Sequence, residues 1–283
     1  MELIVAENAG FCFGVKRAID LAYETIEKTN EEIYSIGPLI HNEIVTNDLK
    51  DKGLVILDKP EDIAALHNKK VLIRTHGIEK QVYELLKNNN NEIIDLTCPF
   101  VRKIHDLVKE YSEKGYKIIV IGDREHPEVK GIVSYSVSPI YVVLSVDDIN
   151  NLNIDKNDKV FVVFQTTTNA ANAQKLVDIL RDLFYNISLV NTICNATQNR
   201  QEEVKNLAES CCVMLIIGSK SSSNTKKLYE IAKKYCENTY LLEKASDTKN
   251  IKIDKNKKVG VSAGASTPKY LIEEILNNVR NEF

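Results

Sequence analysis

Three of the six cysteines lie in the same local setting. Cys12, Cys98 and Cys194 each follow a short apolar stretch typical of a β-strand and precede a stretch typical of a helix. A helix N-terminus favours the thiolate, which is the form of cysteine that binds metal. A basic residue also follows each cysteine about one helical turn later, at Arg17, Arg102 and Arg200. Three such thiolates at one centre would suit a soft metal and leave a coordination position open, whereas isolated cysteines are commonly packing residues.

The surroundings of these cysteines repeat with a period of about 90 residues, which is too long for a solenoid. His41, His126 and Ser222 lie in polar loops that follow their respective cysteines by 29, 28 and 28 residues. In each copy, Val- and Ile-rich strands alternate with amphipathic helices, a pattern that predicts parallel α/β sheets. Ligands of such sheets bind at the carboxyl ends of the strands, where these loops lie. We therefore predict an α/β fold with three similar parallel-sheet lobes in a pseudo-threefold arrangement around one centre.

The repeat also predicts where the lobes begin and end. We expect them to span residues 1–97, 98–190 and 191–283, and the first strand is a candidate to pack with the third lobe. A lobe of this size has a modest core of its own, so we expect the three copies to pack on one another.

The composition is that of an ordinary globular protein. A net charge of −3 and a pI near 6.0 give no indication of nucleic acid or an anionic membrane as partner. The first residues lack a secretory signal, and apolar runs such as 213–218 are far shorter than the roughly 20 residues that span a bilayer. We expect a cytoplasmic location, with reduced cysteines. Cys211, Cys212 and Cys236 lie in apolar or helical patterns and are expected to be small buried packing residues.

Two loops are unusually rich in hydroxyl groups. The stretch "GSKSSSNTKKL" (218–228) places five consecutive Ser, Asn and Thr residues at the start of a predicted helix. An N-cap requires one such residue, so five exceed the structural need. The stretch "SAGASTPKY" (262–270) repeats the arrangement, with Gly264 allowing close approach of the backbone. Hydroxyl groups together with the N–H groups of a helix N-terminus predict a phosphate site.

The loop "GDREHPEVKG" (122–131) holds a histidine and a glutamate stiffly around a proline. Histidines occupy three strand-end loops, at His41, His76 and His126, and would add neutral donors to an anion site. His67 and His105 fall on predicted helix surfaces or ends and are expected to be structural. Glu128 is explained either as a helix first-turn acid or, beside a metal and a phosphate site, as a proton donor.

Nine short motifs follow one another from about residue 4 to residue 275: "GFCFGVKRA", "GPLIHN", "RTHG", "DLTCPFV", "EHPEVKG", "QTTT", "CNATQNRQ", "SSSNT" and "SAGAST". Together they strongly resemble the motifs of the 4-hydroxy-3-methylbut-2-enyl diphosphate reductase family. The resemblance implies three α/β lobes around a central iron–sulfur cluster. It implies one [4Fe–4S] cluster per chain, held by Cys12, Cys98 and Cys194, with its fourth iron open to substrate.

The same resemblance implies roles for the residues of the strand-end loops. Glu128 matches the acid that supplies protons, and Thr166 matches the threonine that fixes the substrate hydroxyl, with Thr167 as the alternative in a run of threonines. Thr197 and Asn42 match supporting positions outside the site. The residues that match substrate-binding positions are His41, His76, His126, Thr166, Ser222, Ser223, Asn224 and Ser266.

The reaction implied by the resemblance is reductive dehydroxylation of 4-hydroxy-3-methylbut-2-enyl diphosphate to isopentenyl and dimethylallyl diphosphate. Two electrons would pass through the cluster while Glu128 supplies protons, in the final step of the non-mevalonate isoprenoid pathway. Family resemblance suggests ferredoxin or flavodoxin as the external donor. The sequence has no Gly-x-Gly-x-x-Gly motif after a strand, so no flavin or nicotinamide site is expected.

Three other functions stay open from the sequence. A quinolinate synthase-like dehydratase also resembles three lobes with three cysteines on one cluster, but has no comparable use for "EHPEV" or "SSSNT". An iron–sulfur or zinc sensor would bind a phosphorylated ligand without turnover. A Cys–His hydrolase needs one reactive cysteine and leaves the threefold repeat unexplained.

Overall fold

Twelve strands form three parallel four-stranded sheets in the computed structural model, which describes residues 1–254 and 256–282. In chain order the strands are β1 (Glu2–Val5), β2 (Ile33–Ile36), β3 (Leu54–Leu57), β4 (Lys70–Ile73), β5 (Glu92–Asp95), β6 (Lys117–Ile121), β7 (Ile140–Val143), β8 (Lys159–Phe164), β9 (Asn186–Leu189), β10 (Val213–Ile217), β11 (Thr239–Leu242) and β12 (Lys258–Ala263). The helices are α1 (Phe13–Lys28), α2 (Glu43–Asp51), α3 (Pro60–Ala64), α4 (Lys80–Asn88), α5 (Pro99–Glu113), α6 (Pro127–Ser134), α7 (Val146–Asn150), α8 (Ala170–Leu183), α9 (Asn195–Ser210), α10 (Ser223–Tyr235) and α11 (Lys269–Glu282), with a 3-10 helix at Ala245–Asn250. None of these described helices combines the length and the apolar composition needed to cross a membrane.

One strand order recurs in all three sheets. The orders are β3-β2-β4-β5, β7-β6-β8-β9 and β11-β10-β12-β1, and all neighbouring strands run parallel. In the third sheet, β1 from the start of the chain takes the edge position that β5 and β9 hold in the other two. The predicted α/β fold with three similar parallel sheets is confirmed.

Contacts divide the chain into two compact units. The first unit comprises residues 1–16, 40–48 and 195–283 and contains the sheet built from β1 and β10–β12. The second unit comprises residues 17–39 and 49–194 and contains the other two sheets. The lobe boundaries at residues 97 and 190 stay a prediction.

The central strands are buried on both faces because their sequences are apolar almost throughout. In β6, Ile118 and Val120 face a core formed with α5 and α6, whereas Ile119 and Ile121 face a core formed with α8. Alternate residues of a strand point to opposite faces, so a helical layer packs on each side of the sheet. These layers hold the strand ends in place, and with them the polar loops that follow.

Two of the three cysteines outside the repeat pack as predicted. Cys211 and Cys236 lie in an apolar core with residues of α9, α10 and β10. The prediction for Cys212 is wrong, because its side chain is exposed. Cys212 immediately precedes β10, where neighbouring residues of an extended chain point to opposite sides.

Candidate active site

Each of the three repeated cysteines is anchored through its backbone in the same way. The N–H of Cys12 donates to the carbonyl of Ala265 over 3.2 Å. The N–H of Cys98 donates to Thr75 over 3.0 Å, and that of Cys194 donates to Thr166 over 3.1 Å. Each acceptor follows the strand that neighbours the cysteine's own, so the parallel ladder is extended past the sheet edge. This extension fixes the position at which each helix begins.

The chemistry of this donor set fits an iron–sulfur cluster. All three thiols are half-buried, and none of the six cysteines, all within the described residues, forms a disulfide. Cys98 is the N-cap of α5, and Cys12 and Cys194 directly precede α1 and α9. Thiolates at helix N-termini are the ligands that iron–sulfur clusters prefer, so the chemistry of these residues fits that group.

A buried carboxyl group lies in the second unit, where the loop after β8 meets α6. Glu128 is 1% exposed, and its Oε2 accepts a hydrogen bond from the Thr166 hydroxyl over 2.7 Å. Its Oε1 accepts from the Thr166 amide over 2.6 Å. Burial raises the pKa of Glu128 to about 7, and the two hydrogen bonds from Thr166 act in the opposite direction. A carboxyl group with this pKa can hold or release a proton near neutral pH.

The histidine next to this carboxyl caps the same helix. His126 is the N-cap of α6, Pro127 occupies the first helical position, and His126 Nδ1 accepts from the Glu128 amide over 3.1 Å. The neutral imidazole therefore carries its proton on Nε2. His76, in the loop after β4, meets His126 edge to face with ring centroids 5.4 Å apart. The second unit thus brings together two loop histidines, Glu128 and Thr166.

His105 packs against the elements that carry His76 and Glu128, and its assignment to a helix surface is wrong. The side chain is 4% exposed and stacks on the Tyr135 ring with centroids 4.2 Å apart. A Cβ at Gly77 would lie 2.8 Å from His105 Cε1, and a Cβ at Gly131 would lie 3.5 Å from its Nε2. The imidazole therefore packs between the His76 loop and α6. Burial lowers the pKa of His105 to about 4, so the ring is neutral at physiological pH.

The serine-rich loop of the first unit forms the N-terminus of α10. Ser222 is the N-cap, with its hydroxyl accepting from the Thr225 amide, and Ser223 is the first helical residue. Asn224 is 3% exposed, and its amide oxygen and nitrogen have no partner among the described residues. A buried amide without a partner is costly unless a ligand satisfies it. The loop after β12 packs closely here, because a Cβ at Gly264 would lie 2.0 Å from Thr225 Oγ1.

The loops of His41 and Ser266, also in the first unit, are joined by two reciprocal hydrogen bonds. The Ser266 hydroxyl donates to the His41 carbonyl over 3.0 Å, and the Asn42 side-chain amide donates to the Ser266 carbonyl over 3.0 Å. Asn42 Oδ1 also accepts from the Val45 amide at the start of α2. Asn42 is buried and orients the histidine loop.

The two candidate threonines have different partners. Thr166 bonds to Glu128, whereas the Thr167 hydroxyl accepts a hydrogen bond from Gln165 Nε2 over 3.2 Å. Gln165 Oε1 accepts from the Asp123 amide and so ties the loop after β8 to the loop after β6. Sequence analysis missed Gln165, although a buried polar residue that ends an apolar strand is a usable signal.

Three parallel sheets, each with a half-buried cysteine anchored after an edge strand, define an α/β protein whose cysteines suit iron–sulfur chemistry. The model of the LytB protein family matches residues 3–280. A protein of Caldanaerobacter subterraneus named 4-hydroxy-3-methylbut-2-enyl diphosphate reductase is 42% identical over 99% of this chain and 97% of its own length. A protein of the same name from Clostridioides difficile is 39% identical over 99% of this chain and its own full length.

Solved structures agree with these relatives. The structure of the E-1-hydroxy-2-methyl-but-2-enyl-4-diphosphate reductase from Plasmodium falciparum superposes with a TM-score of 0.90 at 31% identity, covering 98% of this chain and 87% of that one. A structure of (E)-4-hydroxy-3-methyl-but-2-enyl diphosphate reductase, described as the terminal enzyme of the non-mevalonate pathway, has a TM-score of 0.71 at 37% identity and covers 99% of this chain and 100% of that one. The chain belongs to the LytB protein family. The resemblance drawn from the nine motifs is confirmed, and with it the oxidoreductase class.

Proposed function

We propose that this protein reduces 4-hydroxy-3-methylbut-2-enyl diphosphate to isopentenyl and dimethylallyl diphosphate, as the last step of the non-mevalonate pathway. The reaction breaks one C–O bond, consumes two electrons and two protons, and releases water. The names of the relatives support the substrate. The observation that carries the proposal is the Glu128–Thr166 pair, a buried acid with a pKa of about 7 and an attached hydroxyl group.

We assign one [4Fe–4S] cluster per chain to Cys12, Cys98 and Cys194. The thiols' positions at helix N-termini and their half-buried setting support this assignment. When bound, the cluster supplies the two electrons and a Lewis-acidic iron for the hydroxyl group. The external reductant is a ferredoxin or flavodoxin, and the cytoplasmic location inferred from the sequence stays a prediction.

Glu128 and Thr166 supply the proton for the departing oxygen. In the protonated state, Glu128 donates a hydrogen bond to the Thr166 oxygen, which frees the Thr166 hydroxyl hydrogen for the substrate. Transfer of that hydrogen to the leaving oxygen, with simultaneous transfer from Glu128 to Thr166, leaves the carboxylate that the Thr166 amide stabilises. Glu128 is only 1% exposed, so bulk solvent competes little with Thr166 for its proton.

Neutral hydrogen-bond donors bind the diphosphate in this proposal. The N-terminus of α10 offers N–H groups and hydroxyls to an anion without a buried countercharge. Asn224 gains the partners that it lacks among the described residues. The substrate-binding residues are His41, His76, His126, Thr166, Ser222, Ser223, Asn224 and Ser266.

The test is an anaerobic dye assay of protein reconstituted with iron and sulfide. Reduced viologen dye should bleach when 4-hydroxy-3-methylbut-2-enyl diphosphate is added, and Glu128→Gln should slow bleaching by about 100-fold or more, the usual scale for a lost general acid. Glu125→Gln is the matched control, because Glu125 lies in the same loop but is exposed and pairs with Lys130. Absence of bleaching by protein that holds four irons would refute the reaction, and normal turnover of Glu128→Gln would refute the proton role.

A further inference from the structure

Arg17 contacts the backbone immediately before Cys98 rather than the cysteine that precedes it in sequence. Its Nη2 donates to the Thr97 carbonyl over 3.0 Å and to the Leu96 carbonyl over 3.3 Å. These carbonyls lie between the end of β5 and the first residue of α5. One guanidinium group therefore holds the strand-to-helix turn that presents Cys98.

Arg200 makes the corresponding contact before Cys12. Its Nη2 donates to the Gly10 carbonyl over 2.7 Å, and its Nη1 donates to the Ala196 carbonyl over 2.8 Å. Glu203, one turn further along α9, accepts hydrogen bonds from the Glu7 and Asn8 amides. Helix α9 thus binds two amide groups and one carbonyl group of the loop that leads to Cys12.

Arg102, the third member of the set, does not follow this pattern. Its Nη2 lies 2.7 Å from Asp95 Oδ2, and the side chain is half-exposed. The turn before Cys194 is held instead by Thr192, which exchanges hydrogen bonds with the backbone of Phe164, and by Asn191, which accepts from the Ile193 amide. Arg17 and Arg200 are thus at least half-buried and bind the backbone that precedes a cysteine. Arg102, at the equivalent position of the repeat, is exposed and binds a side chain instead.

We propose that Arg17 and Arg200 are positioning residues for the cluster ligands, an inference that rests on the proposed cluster. Each arginine fixes the turn that presents Cys98 or Cys12 and places a positive charge beside that ligand's backbone. A rigid turn lowers the rate at which the thiolate leaves iron, since partners of metal ligands contribute about 10–100-fold to metal affinity. A nearby positive charge also stabilises the reduced, more negative cluster and so raises its reduction potential.

The test compares reconstituted Arg17→Ala and Arg200→Ala with Arg102→Ala as the matched control. We expect iron release to a chelator to be about tenfold faster in the first two variants, with a reduction potential shifted to more negative values, and to be unchanged in the control. Arg17→Lys and Arg200→Lys keep the charge but lose the planar guanidinium, which in Arg200 reaches two carbonyls through separate nitrogens. They should restore the potential more fully than the iron release rate.

The melting temperatures of the cluster-free variants show whether a substitution weakens the fold as a whole or acts only on the turn that presents the cysteine. Because Arg200 is buried, Arg200→Ala is interpreted only alongside Arg17→Ala, whose side chain is half-buried. Equal iron release and equal potential for Arg17→Ala, Arg102→Ala and the unchanged protein would overturn the inference while leaving the proposed function intact. An unchanged protein that takes up no cluster would overturn both.

Discussion

The hydroxyl of Thr166 lies 2.7 Å from Glu128 Oε2, and both side chains are buried. The same threonine donates its amide to the other carboxylate oxygen, and its carbonyl accepts from Cys194. One residue thus connects the proposed proton donor with the backbone of a proposed cluster ligand. Any displacement of the loop after β8 moves both groups together.

Thr166→Val should reduce turnover by about 100-fold, because it removes the hydroxyl that carries the proton from Glu128. Thr166→Ser should retain most activity, since serine keeps the hydroxyl. Thr167→Val is the control, because the Thr167 hydroxyl is bonded to Gln165 instead. Steady-state rates with reduced viologen provide the measurement. A larger loss in Thr167→Val than in Thr166→Val would transfer the role to Thr167.

Activity should fall as pH rises through about 7, because the proton donor must be protonated and burial raises the pKa of Glu128 to about 7. Thr166→Val removes a hydrogen bond that stabilises the carboxylate, so the midpoint of this fall should move to higher pH. A pH profile of kcat/KM for both proteins measures the shift. An identical midpoint would show that the group observed is not Glu128.

Glu128 and His105 should give the cluster-free protein opposite pH dependences of stability. His105, with a pKa lowered from its ordinary 6.5 to about 4, contributes stability that is lost as pH falls from about 6.5 to 4. Glu128, with a pKa raised from 4.5 to about 7, contributes stability that is lost as pH rises from about 4.5 to 7. Each effect amounts to about 3 kcal/mol at most.

The two slopes largely cancel between pH 4.5 and 6.5 in the unchanged protein. Urea unfolding of Glu128→Gln should show stability that rises with pH, whereas His105→Phe should show stability that falls with pH. The slope is the readout, so an overall loss from an imperfect Phe fit does not obscure it. Parallel curves for all three proteins would contradict this pair of assignments.

Gly264→Ala should lower the free energy of unfolding by about 1–3 kcal/mol, because its Cβ would lie 2.0 Å from Thr225 Oγ1 and the packed loops must move apart. Gly131→Ala is the control, since a Cβ there meets its nearest neighbours at an ordinary 3.5 Å. Addition of Thr225→Ala to Gly264→Ala should recover part of the loss. Urea unfolding measures all three, and equal stability of the two alanine variants would contradict the close packing.

Asn224→Ala should leave stability unchanged or raise it, because both polar atoms of this buried amide have no partner among residues 1–254 and 256–282. The same change should raise KM for the diphosphate by about 10- to 100-fold, since a hydrogen bond to a charged group contributes about 1.5–3 kcal/mol. Melting temperature and KM, measured on one preparation, test the two halves together. A large loss of stability would show that Asn224 supports the fold rather than the ligand.

The sequence predicted the parallel sheets, the cysteine loops and the polar loops, because each depends on a local pattern. Burial of His105 was also predictable in principle. The buried positions of α5 include Val101, Ile104 and Val108, and His105 falls on that same helical stripe. The polarity of histidine led to the surface assignment, whereas the position of His105 in the helical repeat of α5 indicates the core.

The contacts of Arg17 and Arg200 could not be predicted from the sequence. The Thr97 carbonyl lies 80 residues from Arg17 in sequence, and the Gly10 carbonyl lies 190 residues from Arg200. No periodicity of the sequence relates a side chain to so distant a carbonyl. The pairing of Glu128 with Thr166 is equally non-local. Motif order indicates that such residues belong to one site, but only the fold determines which atoms meet.

The position of β1 at the edge of the third sheet has a consequence for biosynthesis. The sheets of β2–β5 and β6–β9 draw their strands from continuous stretches of chain and can form as the protein emerges from the ribosome. The sheet that receives β1 also needs β12, which is the last of the described strands to be made. The turn of Cys12, which bonds to Ala265, therefore forms after the other two sheets have been made, and the proposed cluster can assemble on all three cysteines only after that point.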